Sequence, residues 1–185
     1  MGAPFRIETR RLILRDWRAE DWPEFFRVTN TPAVMEWLGG VLGDEGQAQQ
    51  RARVEACHAA NGFCFWAVER KADSALLGFC GLKRADAPGS SVSGEMEVGW
   101  RFREDSWRQG FAKEAAVAAI DAGFAQFGAD EIIALTLEGN TPSWGLMKRL
   151  GMRRRPELDY ADARYDPPWR DTVVYSISHA DWRGA

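Results

Sequence analysis

Between Glu95 and Arg103 apolar and polar positions alternate almost strictly. Met96, Val98, Trp100 and Phe102 fall on one face of a strand; Glu95, Glu97, Gly99, Arg101 and Arg103 fall on the other. Shorter apolar runs predict strands around Arg10–Trp17, Phe63–Val68 and Leu76–Leu82, with Lys71-Ala72-Asp73-Ser74 turning between the last two. Ile132–Leu137 and Thr172–Ser178 read as two more. The period turns helical over Phe111–Phe127, where Ala116, Ile120, Phe124 and Phe127 form a stripe. Asp21 as cap and Pro23 in the first turn open a first helix, which Thr31-Pro32 breaks. A second helix runs from Glu45 to Ala60 and stops at Asn61-Gly62. Thr141 as cap and Pro142 at the first position open a last helix, ended by Gly151. This order predicts an α/β (α+β) fold: one layer of sheet with helices on its faces.

At 185 residues, 45% apolar and 12% aromatic, the chain fits a compact fold, and no repeat, low-complexity tract or linker divides it. Residues 1–185 are therefore expected to form one domain. Most of the nine tryptophans read as core filling. The net charge of −3, with Lys and Arg scattered, leaves no basic footprint for nucleic acid. Cys57, Cys64 and Cys80 form no C-x-x-C pair, and reduced thiols are expected. His58 and His179 have no Cys or carboxylate at ligand spacing, so no metal site is expected. Met1-Gly2-Ala3-Pro4-Phe5-Arg6 shows no apolar signal region and no myristoylation pattern, and no window approaches 18 apolar residues. A cytoplasmic protein with no membrane span is the expectation.

The candidate chemistry begins where Trp107-Arg108-Gln109-Gly110-Phe111-Ala112-Lys113-Glu114-Ala115 joins a strand to a helix. The first N–H groups of such a helix lack partners, and its dipole adds partial positive charge, so a pyrophosphate suits the place. Gly110 and Ala112 are small enough to let phosphate oxygens approach the backbone. Neither G-x-x-x-x-G-K-[ST] nor G-x-G-x-x-G occurs, which excludes a P-loop and a dinucleotide fingerprint. Three companions accompany the loop: Glu97-Val98-Gly99-Trp100, Asn140-Thr141-Pro142-Ser143 and Lys148-Arg149-Leu150-Gly151-Met152.

With Thr9-Arg10-Arg11-Leu12-Ile13-Leu14-Arg15 at the start and Val173-Val174-Tyr175-Ser176-Ile177 near the end, these segments resemble the GNAT N-acetyltransferase superfamily, and within it the ribosomal-protein alanine N-acetyltransferase branch. The resemblance implies a mixed, mostly antiparallel sheet splayed between its fourth and fifth strands, with acetyl-CoA in the gap and helices on both faces. It implies pantetheine beside Trp100, Arg101 and Phe102, pyrophosphate on the loop from Trp107 to Lys113, and a hydrogen bond from Asn140. The family pattern [QR]-x-x-G-x-[GA] is met at Gly110 and Ala112, whereas Trp107 stands where Gln or Arg is usual. Arg108 and Lys113 are further candidates for the phosphates.

Acetyl transfer to an amine needs a group to take the amine proton, and Glu97 is the candidate base. Glu95, two residues earlier on the same face, would bias the acceptor's charge. Met147 occupies the place where many superfamily members carry a Tyr donor to the leaving thiolate, and Ser143 is the substitute. An N-acetyltransferase of a protein N-terminal or small-molecule amine is the first reading; a catalytically degenerate acyl-CoA sensor is the alternative. Acceptor choice is expected to rest on the first two helices and the loop from Arg153 to Arg170. The oligomeric state is open, a homodimer included.

Overall fold

The computed structural model describes residues 4–182. The N-terminal Met1-Gly2-Ala3, on which part of the targeting expectation rests, lies outside the described residues. The strands are β1 (Arg6–Glu8), β2 (Leu12–Arg15), β3 (Phe65–Arg70), β4 (Leu76–Arg84), β5 (Met96–Phe102), β6 (Glu131–Leu137), β7 (Arg153–Arg154), β8 (Tyr160–Ala161) and β9 (Asp171–Ser178). They form a sheet in the order β1-β2-β3-β4-β5-β6-β9-β7, with β8 also beside β9. Neighbours run antiparallel except β5 and β6, which are parallel. An edge strand, β1, precedes the first anticipated strand, so the expected fourth and fifth strands are β5 and β6.

Five α-helices cover the faces: α1 (Asp21–Thr29), α2 (Pro32–Met35), α3 (Asp44–Asn61), α4 (Phe111–Ala125) and α5 (Thr141–Arg149). The strict alternation in β5 decides which face each residue meets. Met96, Val98 and Phe102 join a core with Ala115, Ala116, Ala119 and Ile120 of α4, and Leu146 and Met147 of α5 close the same layer. The opposite face of β3 and β4 packs Ala67, Leu76 and Phe79 against Trp22 and Phe25 of α1 and Val54 of α3. The mixed, mostly antiparallel sheet expected from the sequence is present. Among the described residues no helix is long and apolar enough to cross a membrane.

Two local expectations are corrected. Asp21 does not cap α1; it is the first helical residue, and its carboxylate is drawn into a buried pair with Arg15, at 2.7 and 2.9 Å. The guanidinium holds that carboxyl below its usual range against the opposing effect of burial. Asn140, not Thr141, caps α5, its side chain accepting from the Ser143 N–H, which moves Pro142 to the second position. Six of the nine tryptophans lie in or pack against the core, Trp17, Trp22, Trp66, Trp100, Trp144 and Trp182, as expected for most of them. Trp22 and Trp66 are buried, whereas Trp37, Trp100, Trp107 and Trp169 line a cleft. The histidines are ordinary: His58 is half exposed near Asp16, and His179 stacks on Phe124.

Candidate active site

Across the middle of the sheet β5 and β6 pair only through Glu97 and Ile133. From Gly99 to Phe102, β5 has no strand on that side, and a cleft of about 970 Å³ opens beside it. Trp100, Arg101 and Phe102 line it from β5, Leu135 to Leu137 from β6, and Asn140, Ser143 and Met147 from α5. An extended chain of amides would find an unpaired strand edge there, the setting of strand addition.

The loop from β5 to α4 closes one end. Arg108 adopts φ 60° and Gly110 φ 80°, both left-handed. An arginine held there costs about 1–2 kcal/mol, so the conformation is imposed by its surroundings. No backbone N–H from Arg108 to Lys113 finds an acceptor within the described residues; the first to do so is Glu114, bonding the Gly110 carbonyl. These consecutive donors at a helix start fit an anion. Arg11, on the approach to β2, pins the loop: Nη1 donates to the Gln109 carbonyl at 2.9 Å, Nε reaches Glu114 at 2.6 Å, and the guanidinium lies 4.3 Å from the Phe111 ring centroid. The start of the chain thus braces the loop, a role for Arg11 that the sequence reading missed. Trp107, Arg108, Gly110, Phe111, Ala112 and Lys113 line the cleft. Gln109 does not, because its amide turns back to the Asp105 carbonyl. Trp107 is fixed by its Nε1–H to the Phe102 carbonyl at 2.9 Å.

On the facing side Asn140 is half-buried, its Oδ1 accepting the Ser143 N–H at 3.4 Å while its amide nitrogen is left for the cleft. Ser143 is half-buried, and its hydroxyl makes no hydrogen bond within the described residues. Met147 is fully buried at the cleft wall and offers no proton.

Glu97 is not on an open face. It is 9% exposed, and Oε2 has no hydrogen-bond partner among the described residues. Lys83, its cross-strand neighbour on β4, brings Nζ to 3.5 Å, an ion pair longer than a hydrogen bond. Burial pushes the Glu97 carboxyl above its usual range, and Lys83 offsets that only in part. Lys83 continues to Asp86 at 2.8 Å, Asp86 to Arg164 at 3.3 Å, and Arg164 to Asp162 at 2.6 Å. All of them line the cleft. Glu95 does not: it is exposed, precedes β5 and lies outside the cleft.

Arg101, four residues after Glu97 on the same face, is 4% exposed. Nη1 donates to Gln50 at 3.0 Å, and the guanidinium sits 4.8 Å from the Phe25 ring centroid. Nε and Nη2 have no partner, and among the described residues no carboxylate pairs with it. Burial alone draws its pKa down to about 10. A cation–π contact contributes about 0.5–2 kcal/mol, less than the several kcal/mol that desolvating an unpaired charge costs.

Between these ends Phe65 stacks on Phe79 at 4.7 Å and lies over Gly99, where a Cβ would stand 2.8 Å from the Phe65 ring. The far wall comes from Trp37 and Leu38 after α2 and from Tyr160, Tyr165 and Trp169, with Trp169 Nε1 donating to the Glu36 carbonyl at 2.8 Å. Of the segments expected to govern acceptor choice, the loop of 160–169 lines the cleft, whereas the two anticipated helices, α1 and α3, do not; the short α2, which the sequence did not announce, does. Lys83, Asp86, Asp162 and Arg164 went unnoticed in the sequence; the one signal was a lysine closing the apolar run of β4.

The family model for the acetyltransferase (GNAT) domain matches residues 11–153. The chain is 29% identical over 179 residues to an uncharacterized N-acetyltransferase, YnaD, of Bacillus subtilis (strain 168), covering 95% of this chain and 98% of that one. An uncharacterized protein of the same organism, YkkB, is 30% identical over 154 residues, 82% of this chain and 87% of its own. The crystal structure of a GNAT-family acetyltransferase from Bacillus anthracis superposes with a TM-score of 0.73 at 27% identity, covering 94% and 98%. A ribosomal-protein-S5-alanine acetyltransferase from Vibrio fischeri shares the fold, with a TM-score of 0.73 at 18% identity over 97% and 99%. The chain belongs to the GNAT acetyltransferase family.

Proposed function

We propose that the whole chain is one N-acetyltransferase domain moving an acetyl group from acetyl-CoA to a primary amine by direct attack. The observation that carries this reading is the placement of a buried carboxylate, Glu97, at the last rung before the sheet parts, with an anion-fitting loop at the other end of the same cleft. The residues fit the group: unpaired N–H donors from Arg108 to Lys113 for a pyrophosphate, the free edge of β5 for pantetheine amides, and Asn140 facing that edge. Acetyl-CoA, when bound, supplies the thioester carbonyl that the amine attacks.

Glu97 takes a proton from the amine, which must be neutral to attack. Its raised pKa makes it a stronger base than an exposed carboxylate. Backbone N–H groups of β5 meet the charge that develops on the carbonyl oxygen. The carbon–sulfur bond then breaks, and Ser143, the α5 hydroxyl that lines the cleft, is the donor for the thiolate; with a pKa of about 8.5 the thiolate also leaves without help. The acceptor is a protein N-terminal α-amine or a small-molecule amine. The likeness of Thr9–Arg15 and Trp107–Ala115 to the ribosomal-protein alanine branch supports the first.

Met147 at the cleft wall favours one other reading, an acyl-CoA sensor without turnover. Thiol release from acetyl-CoA with a panel of amines and N-terminal peptides decides between them. At a ligand level 100 times Kd, acetyl-CoA should stabilise the fold by about 2.7 kcal/mol. Stabilisation with no turnover leaves the sensor; no stabilisation removes both.

A further inference from the structure

The acceptor's second functional group is legible on the face of β5 that carries Glu97, the face turned away from the α4 core. Arg101 is a cleft residue whose guanidinium, turned onto Phe25, has lost its water, holds one amide oxygen from Gln50, and meets no carboxylate among the described residues. A charge in that state lacks a counter-ion. The floor between it and Glu97 is apolar: the Phe65 ring over Gly99, stacked on Phe79. Positions 97 and 101 are about 13 Å apart along the strand. The acidic and basic groups around Glu97 are already paired with one another through Lys83, Asp86 and Arg164, so no second free cation competes there for an anion. The turn after α2 is fastened to the loop of 160–169 through Trp169 and Glu36, which limits the space above this floor.

We infer that the acceptor is a small primary amine that also carries an anionic group, a carboxylate in the simplest case, with its amine at Glu97 and its anion at Arg101. This rests on the acetyltransferase reading and narrows its substrate class. The aliphatic or aromatic part of such an acceptor lies on Phe65. The guanidinium swings its fork from the Phe25 face into the cleft and takes the anion through Nε and Nη2, a bidentate match that an ammonium would not give.

The test is a set of matched acceptors given to the full-length protein with acetyl-CoA, with thiol release as the readout: ω-amino acids of increasing length, each beside its carboxamide, together with simple diamines. The carboxylate members should show kcat/KM about ten- to a hundredfold above their carboxamides, the range of a charge-assisted hydrogen bond. Arg101→Met should bring the carboxylate members down to near the carboxamides and should melt no lower than wild type, since it removes a buried unpaired charge. A merely structural Arg101 would instead lower the melting temperature and both kcat/KM values alike. Equal rates for both members, or a preference for diamines, would overturn the inference while leaving the acetyltransferase reading intact. Turnover confined to N-terminal peptides would overturn it in the same way. No thiol release with any acceptor would sink the acetyltransferase reading, and the inference with it. Should Arg101→Met fail to fold, the matched pairs on the wild-type protein still decide.

Discussion

Lys83 and Glu97 stand opposite one another across β4 and β5, with Nζ 3.5 Å from Oε2, inside the cleft. Burial raises the pKa of this carboxyl, and the lysine opposes that in part. Both halves of that balance can be measured.

Glu97→Gln keeps the shape of the side chain and removes its basicity. Maximal rate should fall by roughly 10²–10⁴, with acetyl-CoA binding near wild type. The deficit should shrink as pH rises, because free amine then forms without a base. In the wild type the acidic limb of the rate profile should lie above 4.5, the usual value for a glutamate, since burial raises this one. Lys83→Met should move that limb further up. Full activity of Glu97→Gln at neutral pH would remove Glu97 as the base.

The same carboxylate carries a stability cost. Its folded pKa is raised, so the fold binds that proton more tightly than the unfolded chain does. The stability from the protonated form is complete in acid and is lost as pH climbs through the raised value. Glu97→Gln should therefore melt above wild type at neutral pH, with the gap closing as the solution is acidified. Melting curves across that range test the sign; a variant less stable at neutral pH contradicts it.

Asn140 caps α5 and, on the proposed reading, also donates to pantetheine; substitution can part the two. Its Oδ1 caps α5 through a long 3.4 Å bond, so Asn140→Ala should cost only about 0.5 kcal/mol, the low end for a cap. Asn140→Asp keeps the cap acceptor and loses the N–H donor. It should hold its melting temperature while acetyl-CoA affinity falls. Unchanged affinity would mean that Asn140 serves the helix alone.

Gly110 sits at φ 80°, where a side chain is strained whatever the ligand does. Gly110→Ala should cost about 1 kcal/mol of stability, and Gly110→Val more. The stabilisation gained from acetyl-CoA should drop further still, because a Cβ also crowds the approach to the loop. Retention of the full gain in a folded variant would move the phosphate site elsewhere.

What could be read in advance follows the physics of each signal. The alternation in β5 is strict because one face joins the apolar core under α4 while the other carries Glu97, Gly99 and Arg101, so strand, faces and Glu97 were all visible. The depth at which Glu97 lies was not, because its cover comes from Lys83, Asp86 and Arg164, three positions with no common period. Residues 6–8 are too few to announce an edge strand. Asn140 and Thr141 are adjacent and both cap well, so a one-residue error there costs sequence reasoning nothing it could detect. The left-handed turn at Arg108 has no signature in an arginine. Trp37 and Trp169 fall in irregular segments, where bulk says nothing of whether a ring faces core or cleft.

A sheet joined at its centre by one rung has a seam in its backbone. On one side β1 to β5 zip together in long antiparallel ladders, and on the other β6, β9, β7 and β8 do the same. The side-chain core under α4 and α5 bridges the two, helped by a small cluster of Ala85, Val92, Ile133 and Val174 and by the Asp86–Arg164 ion pair. Such a seam opens at lower free energy than either ladder unravels. Deuterium should enter the unpaired edge from Gly99 to Phe102 well before it reaches the ladders. A molecule laid along that edge would act as the missing rungs, turning two semi-independent units into one that exchanges, and melts, as a whole.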